Sequence, residues 1–445
     1  MAGRTRRCGP AALALAAAAG VLVACSGGPA GQEAGPSPAT PPAEPVTITV
    51  SDRGVPGTLW ELVAEYDRDH PEVVVELALT DPQVSSYRTP LSAQLTGTAR
   101  LPDVIGFSDA EAGLVQAHAE RFVDLRDHGF AARVDDVHPW ASSGATDPDG
   151  RLLGFPADIG PEALCFRADL LAQAGVAADG AELAAALAAA GGGWDAYLEL
   201  GRGYHAATGR AWFDSAATVW EAMVRQLPTG YSATDGSRLG VQDPQLRARW
   251  DLLVAAVDDG LSAREAQWDW RGGQAFVDGS FATMPCASWM TGVVAANLEA
   301  AGGGPQTGWA VADAFPGGAG SWGTSYLAVT ADSPHPAVAA QLVDWLTRPE
   351  QQARAYAPTG PLPSTHEAIA QVAAAAAPSE TFGGVVLEAV FAARAQGVPA
   401  HVTGVLDAEH GLAFGAALHD LEAGTVASEE AWVRAAAGVL DLLDD

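Results

Sequence analysis

The sequence predicts an α/β fold in which mostly parallel sheets are flanked by helices. Three observations carry this. Between residues 46 and 120, short β-branched runs alternate with stretches of helical period in the order β-α-β-α-β-α. A second unit of the same kind follows from Leu164. No single Pro/Gly-rich linker splits the body in two. A strand that continues through a helix into the next strand of the same sheet returns parallel to itself, so the alternation implies parallel pairing with helices on both faces.

Val46–Val50 is short and β-branched, and Gly54, Pro56 and Gly57 end it. Thr58 is placed to cap a helix carrying Leu59, Leu62, Val63 and Tyr66 on one face, which Pro71 stops. Val73–Leu79 reads as a strand, Ser86–Thr96 as a helix, Leu101–Phe107 as a strand after Pro102, and Ala110–Glu120 as a helix. Ligands of such sheets sit beyond the carboxyl ends of strands. Here those ends are Ser51-Asp52-Arg53 and Phe107-Ser108-Asp109. In the second unit, Leu164–Arg167 is a strand, Asp169–Ala174 and Trp194–Thr208 are helices, and Ala211–Ser215 is extended. Helices follow over Ala217–Gln226 and Gln245–Asp259, strands over Phe281–Pro285 and Tyr326–Thr330, and a helix over Ala337–Leu346. After Ala368 the chain reads as mostly helix.

The composition excludes several classes of function. The chain has 445 residues, 48% hydrophobic and 18% charged, enough apolar material for a packed core. Its 24 basic residues face 54 acidic ones, a formal charge of −30, so a nucleic acid would be repelled. Every basic residue is arginine. Without lysine there is no Schiff-base amine, no P-loop lysine and no Ser–Lys dyad.

The first 45 residues read as an address and a tether. Arg4, Arg6 and Arg7 precede an apolar run from Ala11 to Val23, too short to span a membrane permanently. It ends in Leu22-Val23-Ala24-Cys25, which resembles the bacterial lipobox, and that resemblance implies lipidation of Cys25. Residues 1–24 are then a lipoprotein signal peptide and 25–45 a flexible tether with a reach of about 25 Å. Attachment through that lipid to the outer face of the cytoplasmic membrane is expected. Cys165 and Cys286 remain, and the sequence leaves open whether they bridge or stay as buried thiols.

Catalytic and metal signatures are missing. There is no H-E-x-x-H, C-x-x-C or G-x-S-x-G, and no strand-to-helix G-x-G-x-x-G. His401 and His410 lack ligand spacing and are expected in solvated or capping roles. No cofactor and no metal are expected. An acid pair for glycoside hydrolysis needs only proximity in space, so a lipid-anchored glycoside hydrolase stays as the alternative of another class.

Four stretches follow in order: Leu101-Pro102-Asp103-Val104; Gly154–Leu164; Gly279–Met284 with Ser288-Trp289; and Gly323–Val329. With Gly360-Pro361-Leu362-Pro363 they resemble the family-1 extracellular solute-binding proteins, the sugar-binding lipoproteins of ABC importers. Phe166-Arg167-Ala168 replaces that family's aromatic-Asn-Lys. The resemblance implies two α/β lobes joined by three crossing segments, near 154–160, 313–321 and 357–363. Lobe 1 would hold 46–153 plus 322–357, and lobe 2 would hold 160–312 plus 364–445. It implies a monomer that binds a small molecule, a carbohydrate, in the cleft and passes it to membrane permease subunits. A polyol, a glycerophosphodiester or a peptide stays open as ligand.

A sugar offers apolar C–H faces to aromatic rings and hydroxyls to carboxylates. On that basis the candidate ligand contacts are Trp289 after the Gly279–Met284 strand, Trp322 before Tyr326–Thr330, Phe107, Trp212 with Asp214, Asp52, Asp109, Asp158 and Glu162. Trp268 and Trp270 flank Asp269 in a loop as further candidates to line the cleft, and Arg53 is a candidate partner for an acidic ligand. Trp250 and Trp345 fall on apolar helix faces and are expected in the core.

Overall fold

The computed structural model describes residues 44–52, 57–79, 88–98, 100–232 and 240–441. The signal, most of the tether, Cys25 and Arg53 lie outside the described residues. Strand β1 (Val46–Asp52) shows the two-residue period of a pleated strand, with Ile48, Val50 and Asp52 turned inward. β2 (Val73–Leu79) and β3 (Val104–Ser108) pair with it in parallel, each reached through a helix. β4 (Phe155–Arg167) is buried at all 13 positions. β5 (Ala211–Phe213), β6 (Phe281–Ala287), β7 (Trp309–Ala312), β8 (Ser321–Val329) and β9 (Leu362–Pro363) complete the described sheet.

Its order is β2-β1-β3-β8-β4-β6-β5, with β7 and β9 each paired to β4. The fold is α/β, as expected for a periplasmic-binding-protein-like chain. The sheet is mixed, however, rather than mostly parallel. β1–β2, β1–β3 and β5–β6 are parallel, whereas β3–β8, β8–β4, β4–β6, β4–β7 and β4–β9 are antiparallel. Parallel pairs arise where a helix carries the chain back. In the centre, β8 and β4 each run against both of their neighbours along the sheet.

β4 belongs to both halves of the sheet. Residues from Phe155 to Pro161 pair with β8, and those from Glu162 to Arg167 pair with β6 and β7. Its register shifts between Pro156 and Asp158 and again between Ile159 and Pro161. Proline has no N–H to donate, so a ladder through Pro156 and Pro161 must be irregular. Gly160 is required by close approach: a Cβ there would run into the Trp322 carbonyl. The sequence placed a strand only from Leu164, because the prolines hide its first half.

Ile48, Val50, Val104, Leu327, Val329 and Leu342 pack one side of the first half. In the second half, Trp212, Trp220, Trp250 and Phe414 form an aromatic core, with Trp220 and Trp250 edge to face at 5.3 Å. Trp250 is in the core as expected, and Trp345 packs its edge on Tyr66 at 5.3 Å. Beyond Ala368 the described chain is helical over His366–Ala375, Leu387–Ala395, Asp407–Glu422 and Ser428–Asp441.

Cys165 on β4 and Cys286 on β6 form a disulfide with Cα atoms 5.5 Å apart, which decides the alternative that the sequence left open. It closes a loop of 121 residues. Alkylation of the unreduced protein is expected to label neither cysteine. The Cys165→Ala/Cys286→Ala variant is expected to lose about 2–5 kcal/mol of stability in urea unfolding.

Candidate functional site

A cavity of about 830 Å³ opens between the two halves of the sheet. Asp109 enters it from the first half. It is the first residue of the helix Asp109–Ala117, whose start is fixed because the Ser108 N–H donates to Glu111 Oε2 at 3.0 Å. From the second half come Ser215, Glu221 and Arg225, the N-cap, a middle residue and the C-cap of the helix Ala216–Val224. Arg225 spans the gap, pairing with Asp109 on one side and with Glu221 at 2.6 Å on its own helix.

One wall is aromatic. Trp268, 54% exposed, stacks on the half-buried Trp289 with ring centroids 6.0 Å apart and planes 17° apart. Trp322 lies 5.9 Å from Trp268 and 5.6 Å edge-on from Trp289, whose indole N–H donates to the Trp322 carbonyl at 2.7 Å. The loop that presents Trp268 is conformationally costly. Arg264, Trp268, Trp270 and Arg271 all have positive φ without being glycine. Such backbones persist only where neighbours hold them. Here Trp270 is anchored by its indole N–H to Asp214 at 3.1 Å, and Arg271 is tied to Glu265 at 2.8 Å.

The opposite wall is one face of the helix Asp407–Glu422, with Asp407, Gly411, Leu412, Gly415 and His419 facing the cavity. Tyr231 and His401 fill the corner beside Asp407. His401 Nδ1 lies 2.8 Å from the Leu227 carbonyl, so in the tautomer that bond requires Nδ1 donates and Nε2 is left as an acceptor. Burial holds this imidazole below its ordinary range.

The candidates from sequence divide into groups. Asp109 and Trp322 line the cavity, and Trp289 supports it through its rings. Asp158 lines a separate cavity of about 190 Å³, with Tyr356 and Leu362. Asp52 is buried and accepts from the Trp60 indole N–H at 2.6 Å, and a Cβ on Gly106 would leave it no room. Asp214 is buried beneath the loop, where it accepts from Thr218 Oγ1 at 2.8 Å; burial lifts its pKa to about 6. Phe107 and Trp212 do not reach the cavity. Phe107 is wholly buried and stacks on Tyr326 at 5.1 Å, because β3 is covered on both faces. Trp212 is wholly buried between Tyr197 and Tyr204. His410 is also buried and neither ring nitrogen has a hydrogen-bond partner, contrary to the solvated or capping role expected for it. Among the described residues no group of histidine, cysteine and carboxylate side chains could hold a metal ion.

Two β4 carboxyls are unusual. Asp158 accepts from the Ser325 N–H at 3.1 Å, but its Oδ2 has no partner. Burial raises its pKa to about 7, and the charges of Asp109 and Asp52 add to the rise. Glu162 has no exposed surface and neither oxygen is hydrogen-bonded. Burial raises it to about 8 against the pull of Arg225.

Residues that the sequence did not single out include Glu221, Arg225, Tyr231, Asp407 and Glu422. They lie inside helices or before a gap in the pattern, where periodicity marks core and surface but not a cleft.

The family of bacterial extracellular solute-binding proteins matches residues 61–380. The chain belongs to this family. Its members are binding proteins, not enzymes. A solved family-1 extracellular solute-binding protein is 36% identical, with a TM-score of 0.81 over 88% of this chain and 98% of that one. The galacto-N-biose/lacto-N-biose I-binding protein of Bifidobacterium longum shares the fold, with a TM-score of 0.69 at 18% identity over 90% and 98% of the two chains. The lactose-binding protein of Rhizobium radiobacter is 25% identical over 253 residues, 54% of this chain. The chain spans about half the length of that curated relative, 55%.

Asp158 and Glu162 make stability depend on pH. Each folded pKa lies above the unfolded value, so the folded chain holds protons that the unfolded chain releases. Their contribution is complete below roughly pH 4 and falls by up to about 1.4 kcal/mol per pH unit and group as pH rises toward the folded values. Urea unfolding is therefore expected to show declining stability from pH 5 to pH 8.5. Glu162→Gln is expected to flatten the upper part of that decline, and an unchanged slope counts against a neutral Glu162.

Proposed function

We propose that this chain is a lipid-anchored saccharide receptor that captures a sugar or oligosaccharide in its cavity and delivers it to the permease of an ABC importer. The observation that carries the reading is the pairing of an aromatic wall, Trp268, Trp289 and Trp322, with carboxylates and an arginine on the facing walls. Ring faces suit the C–H faces of a pyranose, and Asp109, Glu221 and Arg225 suit its hydroxyls. The lactose-binding relative and the lacto-N-biose complex of the shared fold support the same ligand class. The two lobes would close by bending at residues 154–160, 313–321 and 357–363, as hinged binding proteins do. Attachment rests on Cys25 within Leu22–Cys25.

Titration calorimetry over neutral oligosaccharides tests the ligand class, and saturation at one equivalent with ligand recovered unchanged is the expected result. Trp268→Ala is expected to cost about 2–4 kcal/mol of binding, as an aromatic anchor does. Its ring is more than half exposed, so the ligand-free melting point is expected to stay put. Trp289→Ala is expected to lower both, because that ring also packs on Trp322. For the anchor, Cys25→Ser is expected to leave the protein out of the membrane fraction or unprocessed. Retention in that fraction at the mature length defeats the lipid reading.

A further inference from the structure

The charges around the cavity do not balance, and we infer that the saccharide it takes carries a protonated amine. This rests on the receptor reading above. Five carboxylates line the cavity, those of Asp109, Glu221, Glu265, Asp407 and Glu422, against Arg225 and Arg264. Arg225 is shared by Asp109 and Glu221 and leaves one charge over. Arg271 answers Glu265 from outside the wall, and Glu422 is held by the Ala216 N–H and the Ser262 hydroxyl, with burial opposing its ionisation.

Asp407 has no cation of its own among the described residues. It is 6% exposed, its Oδ1 accepts from Ser232 Oγ at 2.6 Å, and its Oδ2 has no partner. It is the first residue of its helix, and a helix end offers about half a positive charge, too little to neutralise it. Oδ2 rests over Gly230, a cavity residue whose missing side chain leaves the space.

Beside it stands His401, with Nε2 left as an acceptor. Against these acceptors the corner offers the unpartnered Tyr231 hydroxyl as donor, a neutral group that leaves the charge of Asp407 unanswered. A hydroxyl brings one donor and its own lone pairs, whereas an ammonium brings three donors and none. Across the cavity, the faces of Trp268 and Trp322 attract cations as well as C–H groups. The formal charge of −30 on the chain favours the same ligand at long range.

The test is titration of the full chain with glucosamine oligomers of two to four units, their N-acetylated forms, and neutral gluco- and galacto-oligosaccharides of the same lengths. The amine forms are expected to bind at least tenfold tighter than the acetylated ones in 20 mM salt, with that advantage shrinking in 500 mM salt as screening grows. Asp407→Asn keeps the Ser232 bond and the side-chain volume, and is expected to cut the advantage to less than threefold. If acetylated or neutral saccharides bind as tightly as the amines, the inference falls while the saccharide receptor stands. An advantage that ignores both salt and Asp407→Asn also overturns it. If no saccharide binds but choline does, the receptor reading itself fails, and the amine saccharide with it.

Discussion

The rest of the structure depends on the backbone ladder of β4. This strand pairs with β8 in its first part and with β6 and β7 in its second, so neither half of the sheet is complete without it. A hydrogen-bonded strand resists shear along its length but bends where its ladder is interrupted. The interruptions fall at Pro156 and Pro161, and Gly160 lets Trp322 come close between them. The same stretch carries Asp158 and Glu162, buried carboxyls with unpaired oxygens. Buried unpaired polar groups cost stability, and the chain concentrates that cost at the one strand shared by both halves.

The cavity walls are positioned by unequal means. Asp109 and Arg225 sit at helix ends and are held by regular structure. Trp268 sits on a loop with a run of left-handed residues, fixed by the Trp270–Asp214 and Arg271–Glu265 contacts beneath it. The rigid wall supplies charge, and the strained one supplies an aromatic face. Asp214, a candidate from sequence, thus acts on the site through the loop it anchors rather than by direct contact.

Much of the architecture was legible because the β-α alternation is local and its breakers are Pro and Gly. The strand Val73–Leu79 and the helix Trp194–Thr208 were legible with their bounds, and the strand Phe281–Ala287 as far as Pro285. The antiparallel centre was not, since the direction of a returning strand is set by contacts more than a hundred residues apart. At the site, Asp109 and Trp322 could be placed because they stand next to strand ends. Phe107 looked equivalent, yet its neighbour Asp109 reaches the cavity while its own ring turns into the core beside Tyr326. Asp407 and Glu221 gave no signal, because a carboxylate on a helix reads as a solvated face until the packing shows what it confronts.

The helix Asp407–Glu422 follows every strand of the described sheet in sequence yet forms a wall of the cavity, and its Phe414 packs into the core of Trp220 and Trp250. A chain made from its N-terminus therefore carries an unfinished cavity until residues 407–422 have been made. Strands β1 to β8 can pair beforehand, but the aromatic core stays open on one side until Phe414 arrives. Binding competence and completion of the second core come together, so a chain cut short before residue 407 has neither.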